Sequence, residues 1–128
     1  MDRNETPSEM PPHEPFVEAM QPLRGKWKIE ILWALARKTR RFGELRRELP
    51  GITQHMLSLR LRELEADGLV VRTAYDEAVL RVEYEISEAA RGLKPVFQAL
   101  LAWSERYGPL SRQRGDGASG KPGKEVAA

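Results

Sequence analysis

The chain has 128 residues, of which 41% are hydrophobic, and its net charge is +2, a composition that suits one modest globular domain rather than two. It contains no cysteine, so disulfides, thiolate metal sites, cysteine nucleophiles and thiol redox sensing are excluded, and a reducing cytoplasm is the expected location. No segment approaches the ~18 consecutive apolar residues of a membrane span, and no apolar stretch follows the start as in a signal peptide, so we expect no membrane association.

Both ends of the chain differ in composition from its middle. Residues 1–14 are polar, acidic and proline-bearing, which predicts a disordered arm. Residues 108–128 carry five glycines and few apolar groups, which predicts a flexible tail. The folded domain is therefore expected to span residues 15–107.

Three helices are predicted in the first half of this domain. A short one is expected over residues 16–20. Residues 26–37 are apolar on two sides, which is typical of a central, buried helix, and we expect Trp33 on this helix to lie in the core. The third helix is expected over residues 42–49.

A longer fourth helix follows a turn. Pro50 and Gly51 predict the turn, because proline disfavours helix in the residue before it and glycine accepts unusual dihedral angles. Thr53 is well placed to cap the helix, and Gly68 is typical of a residue just beyond a helix end. The apolar residues form one narrow stripe at i, i+4 and i+7: Leu57, Leu61 and Leu64. We expect this stripe to face the core and the opposite side to face solvent.

Two strands and a last helix complete the domain. Residues 69–75 and 80–86 predict the strands, and the second alternates apolar and charged residues with period two. Ser87 is placed to cap a final helix that extends to about Tyr107, and Pro95 should bend it. A helix-turn-helix followed by a two-stranded ribbon predicts an α+β, mostly α fold: a winged helix-turn-helix with a two-stranded β wing.

The charge distribution suggests a use for this fold. Residues 37–62 hold eight bases and two acids, a net charge of +6, whereas residues 1–24 have a net charge of −3. The positive charge thus coincides with the helix-turn-helix, which most commonly places one helix in the major groove of DNA. The alternative is that these charges only form a solvated surface. We favour DNA binding over this alternative because the positive charge coincides with the helix-turn-helix.

The candidate DNA-binding side chains lie on the outward face of the fourth helix, at its start, on its basic flanks or on the wing. His55, Ser58 and Arg62 could reach base edges or phosphates, and the helix start favours a phosphate. Alternatives stay open: Arg60 could form a structural ion pair. The complete set is Arg40, Arg41, Arg46, Thr53, Gln54, His55, Ser58, Leu59, Arg60, Arg62 and Arg81.

The sequence does not indicate an enzyme. The two histidines are His13, in the predicted arm, and His55, on the outward helix face, so a histidine-based metal site or catalytic triad is not expected. The carboxylates alternate with bases on helix faces. We expect no catalytic residues, no metal and no cofactor.

Several motifs, in this order, resemble those of the HxlR-type branch of bacterial winged helix-turn-helix regulators, related to the MarR superfamily. The resemblance covers about residues 15–104. The motifs are GKW at 25–27, IL at 31–32, RFGEL at 41–45, PGIT at 50–53, MLSLRLRELEADGLVVRT at 56–73 and RVEYEIS at 81–87.

The resemblance implies a transcriptional regulator that binds double-stranded DNA as a homodimer, with the first and last helices as dimerisation helices. Two-fold symmetry then predicts an inverted-repeat operator, and repression by occlusion of polymerase is the expected mechanism. Many relatives carry a cysteine just before the first helix, where Glu14 stands here. The implied interface residues are Phe16, Met20, Leu23, Val96, Leu100 and Trp103.

Two other functions stay open. The same basic face could bind an acidic protein partner instead of DNA. A small-molecule effector could bind at the dimer interface, with Trp33, Trp103 and Phe97 as walls, although an ordinary aromatic core explains these residues equally well.

Overall fold

The computed structural model describes residues 9–110 and Arg112; the predictions made for residues 1–8 and for most of the tail concern residues outside this range. The described elements form a winged helix-turn-helix, which confirms the predicted α+β, mostly α class. In chain order they are α1 (His13–Met20), a 3-10 turn (Gln21–Leu23), α2 (Lys28–Arg37), α3 (Phe42–Glu48), α4 (Gln54–Ala66), β1 (Val70–Tyr75), β2 (Arg81–Ile86), α5 (Glu88–Arg91) and α6 (Lys94–Arg106). None of the described helices is long and apolar enough to span a bilayer.

The core lies among α2, α3, α4 and the base of the wing. Its largest fully buried side chains are Ile31, Leu32, Leu35, Leu45, Leu57, Leu61 and Leu64. The leucine stripe of α4 thus faces inward, as predicted, because burying its apolar surface removes it from water. This orientation leaves the opposite side of α4 outside the core.

The ends of α4 are set by local interactions. The Met56 amide donates a hydrogen bond of 3.0 Å to the Thr53 hydroxyl, which confirms the predicted cap. Gly68 ends the helix with φ +76°, a left-handed conformation that glycine adopts without steric cost.

The wing is an antiparallel pair in which Val70 lies opposite Ile86 and Tyr75 lies opposite Arg81. The second strand begins at Arg81 rather than at residue 80, because the pairing of the two strands ends with Tyr75 opposite Arg81. Full burial is limited to the base of the wing, where Val70 and Ile86 join the core, and the rest of β2 is half-buried, with Tyr84 packed against the core.

Two helix predictions need correction. The first helix begins at His13, three residues before the predicted start. The last helix is two helices: Ser87 caps the short α5, with the Ala90 amide donating to its hydroxyl at 3.1 Å, and α6 begins separately at Lys94. Pro95 lies in the first turn of α6 and does not bend a continuous helix, since a first-turn residue needs no amide proton.

The prediction that Trp33 lies in the core is wrong. Trp33 is 38% exposed, and Ile29 on the same side of α2 is also exposed. α6 covers this side only in part, and a cavity of about 180 Å³ opens between the two helices, lined by Trp33, Ile29, Glu30, Phe97, Leu100 and Leu101.

Candidate nucleic-acid interface

The outward side of α4 carries the polar residues that the sequence placed there. Gln54, His55 and Arg62 are exposed, and Ser58 is half-buried. His55, Ser58 and Arg62 lie on the side of α4 away from the buried leucine stripe, and Gln54 lies in the first turn. Leu59 is also half-buried rather than fully exposed, which accounts for a leucine on a largely polar side.

Arg62 is held at the centre of this side. Its Nη1 donates a hydrogen bond of 3.2 Å to the Ser58 hydroxyl, one helical turn earlier. None of the ion pairs among the described residues includes Arg62, so its other donors remain available to a ligand.

The start of α4 offers hydrogen-bond donors and the positive end of the helix dipole. Gln54 is exposed in the first turn, where the backbone amides have no helical partner. The Thr53 hydroxyl accepts the capping bond, and its own proton remains free to donate. These features favour an anion at this end of the helix.

Exposed basic side chains also lie at the start of the preceding helix α3 and within it. Arg41 and Arg46 are both exposed. The Arg41 amide donates a hydrogen bond of 2.8 Å to the Glu44 carboxylate, which lowers the pKa of Glu44 and fixes the start of α3. Arg47 is exposed as well and was omitted from the predicted set, although it belongs to the same basic run in the sequence.

Arg40 is not included in the candidate DNA-binding surface. Only 12% of its side chain is exposed, and its Nη2 lies 2.9 Å from the Glu48 carboxylate on α3. Arg37 binds the same carboxylate at 2.9 Å. Arg40 is therefore the buried member of a partly exposed ion-pair network, and its guanidinium faces Glu48 rather than solvent.

Arg60 is also engaged within the protein. Its Nε donates a hydrogen bond of 3.0 Å to the Lys26 carbonyl oxygen, and its Nη1 donates one of 2.8 Å to Glu63. Of the two alternatives for Arg60, the structure supports the structural ion pair.

Arg81 is bound inside the wing. It pairs with the carboxylates of Glu77, at 3.0 Å, and of Glu83, and its guanidinium carbon lies 4.0 Å from the centre of the Tyr75 ring. The hydrogen bond from Arg81 lowers the pKa of Glu77, and the bond to Glu77 in turn raises the pKa of Arg81. A contact between Arg81 and DNA would compete with both ion pairs, so we do not include Arg81 in the proposed DNA-binding surface.

The side chains predicted for dimerisation are mostly exposed and apolar. Val96, Leu100 and Trp103 are each 54–55% exposed along α6, and Phe16 on α1 is also exposed. Met20 is half-buried, and Leu23 packs partly against the core. The terminal helices thus present an uncovered apolar surface within the described part of the chain.

Comparison with known proteins is consistent with this architecture. A model of the HxlR-like helix-turn-helix family matches residues 23–112. The HTH-type transcriptional regulator YtcD of Bacillus subtilis (strain 168) is 44% identical over 101 residues, which cover 78% of this chain and 79% of YtcD.

Two solved structures have similar folds. The reduced form of the redox regulator HypR superposes with a TM-score of 0.69 at 37% identity, over 77% of this chain and 98% of HypR. A MarR-family transcriptional regulator from Porphyromonas gingivalis W83 superposes with a TM-score of 0.68 at 30% identity, over 82% of this chain and 99% of that one.

These relatives are regulators rather than enzymes, in agreement with the expectation that the sequence contains no catalytic site. The matched region contains every element from α2 to α6. The chain belongs to the HxlR-like helix-turn-helix family and is a transcriptional regulator of the helix-turn-helix type.

Proposed function

We propose that the protein binds duplex DNA in the cytoplasm as a homodimer on an inverted-repeat operator and represses transcription by excluding polymerase. The observation that carries this proposal is the polar side of α4, which the buried leucine stripe turns away from the core. Arg62, oriented by Ser58, would read a base edge there, and Arg41 and Arg46 would bind flanking phosphates.

The homodimer is supported by the terminal helices. Val96, Leu100 and Trp103 follow one another at i, i+4 and i+7, so they share one face of α6. A second copy would cover this apolar face and remove it from water. Two-fold symmetry would then present two copies of α4 to half-sites about 34–36 Å apart.

A small apolar effector is a second candidate partner, and one observation favours it. The cavity of about 180 Å³ beside Trp33 is lined almost entirely by apolar side chains and borders the proposed interface at Leu100. A ligand there would contact both α2 and α6. Quenching or a shift of tryptophan fluorescence, lost in Trp33→Phe, would report its binding. Thiol chemistry, by contrast, is excluded as the signal because the chain has no cysteine.

The proposed function is tested by selecting fragments of the source genome with the purified protein and sequencing those that remain bound. We expect enrichment of a palindromic site. Absence of an enriched site, together with tight binding to acidic proteins, would favour the alternative of a protein-interaction module.

Mobility-shift titration of the selected site then tests the surface. Arg62→Ala should weaken binding by about 1–3 kcal/mol if Arg62 reads a base. Arg91→Ala is the matched control, because it removes the same charge from an exposed position on the short helix α5. Equal binding by the wild type and Arg62→Ala would reject the assigned surface.

A further inference from the structure

The segment Gly25–Lys28, which leads into α2 and includes its first residue, contacts α4 at several points. The Lys26 carbonyl oxygen accepts a hydrogen bond of 3.0 Å from Arg60 Nε. Lys28 Nζ lies 3.5 Å from the Glu63 carboxylate, which also accepts the Arg60 Nη1 bond. We call this set, residues 25–28 with Arg60 and Glu63, the bracket.

Lys28 and Arg60 are largely shielded from solvent and charge-paired with Glu63, which distinguishes the bracket from an incidental surface contact. Lys28 is only 7% exposed, and a buried ammonium group needs a counter-charge, which Glu63 supplies. Arg60 is also largely shielded, with 19% of its side chain exposed. The hydrogen bond from Arg60, with Lys28 contributing, holds the pKa of Glu63 below its usual value.

The backbone of the segment is adapted to this contact. Gly25 has φ +116°, and a Cβ atom there would lie 3.3 Å from the Arg60 guanidinium. Trp27 has φ +82°, a left-handed conformation that is costly for a bulky residue and persists only when its surroundings fix it. Its ring also lies 3.9 Å from where a Cβ atom on Gly51 would stand, in the turn before α4.

Resting on the proposed function, we propose that Arg60, Glu63 and Lys28 are positioning residues for DNA recognition. They fix α4 relative to α2 and so determine where the outward residues of α4 meet the base edges. Arg60 contributes to operator selectivity through Lys26 and Glu63 and not through a phosphate.

For Glu63→Gln, a purely electrostatic role of Glu63 and a positioning role predict opposite changes in operator affinity. Removing a carboxylate near a DNA-binding surface should strengthen binding to every duplex if charge alone matters. If Glu63 positions α4, the same change should weaken binding to the operator while leaving binding to unrelated duplex unchanged or slightly tighter. Glu65→Gln is the matched control, since it removes the same charge two residues further along α4 without touching the bracket.

Arg60→Lys provides a second variant that keeps the charge. A lysine places one ammonium where the guanidinium makes two separate contacts, so it cannot reproduce the bracket. We expect it to lower operator selectivity with an unchanged slope of affinity against salt concentration. A phosphate contact, which depends on the charge, would largely survive this change.

The experiment measures, for the full-length wild type and the three variants, affinity for the selected operator and for an unrelated duplex at two salt concentrations. Thermal unfolding confirms that each variant is folded. We expect the ratio of the two affinities to fall about tenfold or more in Glu63→Gln and Arg60→Lys, an effect similar to that of one mismatched base pair, and to stay unchanged in Glu65→Gln.

The inference is overturned if Glu63→Gln behaves like Glu65→Gln, or if Arg60→Lys keeps the wild-type ratio. Both of those outcomes leave the proposed function intact. A wild type that does not distinguish the two duplexes would instead reject the proposed function, and the inference with it.

Discussion

Arg40 and Tyr84 exchange two backbone hydrogen bonds, of 3.0 Å and 2.8 Å, across an isolated antiparallel bridge. The bridge joins the segment before α3 to the wing strand β2. Since the Arg40 side chain also binds Glu48 on α3, one residue connects the wing to the helix-turn-helix. The wing is therefore held by tertiary contacts in addition to its own strand pairing.

Replacing Arg40 should reduce stability and leave the salt dependence of DNA binding unchanged. Arg40→Ala removes the ion pair and leaves a partly buried Glu48 with one cation fewer, so we expect a loss of about 1–3 kcal/mol in the free energy of unfolding, measured with urea. Arg46→Ala, at an exposed position, should change it by less than about 0.5 kcal/mol. If Arg40→Ala were as stable as the wild type and its DNA affinity depended less on salt concentration, Arg40 would instead be a DNA-binding residue.

Replacing Arg41, in contrast to Arg40, should change the salt dependence of DNA binding. Arg41→Ala removes an exposed charge from the start of α3, so binding to all duplexes should weaken to a similar extent. The slope of log affinity against log salt concentration should become shallower by about one. Titrations by fluorescence anisotropy at several salt concentrations would measure it. A change confined to the operator would instead identify Arg41 as a base reader.

Replacing Trp103 should separate the proposed subunits. Trp103→Glu places a charge in the apolar face of α6 and should shift sedimentation from dimer to monomer, since burying an unpaired charge is costly. Operator affinity should fall with it. Leu80→Glu is the control, because Leu80 is similarly exposed but lies at the wing tip. A wild type that sediments as a monomer would refute the dimer directly.

The wing should contribute to the acid sensitivity of the fold. The hydrogen bond from Arg81 lowers the pKa of Glu77 in the folded state below the ordinary value of 4.5. The ionised carboxylate therefore contributes stability that is fully present above about pH 4.5, and that stability is lost as the pH falls through the folded-state pKa. Glu77→Gln should flatten the fall in unfolding free energy below pH 4.5.

A double-variant cycle tests this assignment. Arg81→Met removes the same interaction from its other side, so adding Glu77→Gln to Arg81→Met should change the pH dependence little. Urea unfolding at a series of pH values between 3 and 7 would measure it. Fully additive effects of the two substitutions would show that Glu77 titrates independently of Arg81.

The sequence was sufficient to predict α4 and its orientation. The stripe of Leu57, Leu61 and Leu64, the Thr53 cap and the terminal Gly68 are local features, and each depends on residues within a few positions. The exposed polar side follows from the same periodicity. For this reason His55, Ser58 and Arg62 remain candidates for DNA contact.

The partners of the arginines were decided only by the tertiary structure. Arg60 binds a carbonyl oxygen 34 positions away, and Arg40 binds a carboxylate on the next helix. Helical periodicity shows which side of a helix is apolar, but it does not show what an arginine on the polar side contacts. An arginine that faces solvent and one that binds a distant acceptor therefore look the same in the sequence. The exposure of Trp33 was also not predictable from the local sequence. Whether the apolar side of α2 is covered depends on how closely α6 packs against it, and this packing distance is a property of the tertiary structure.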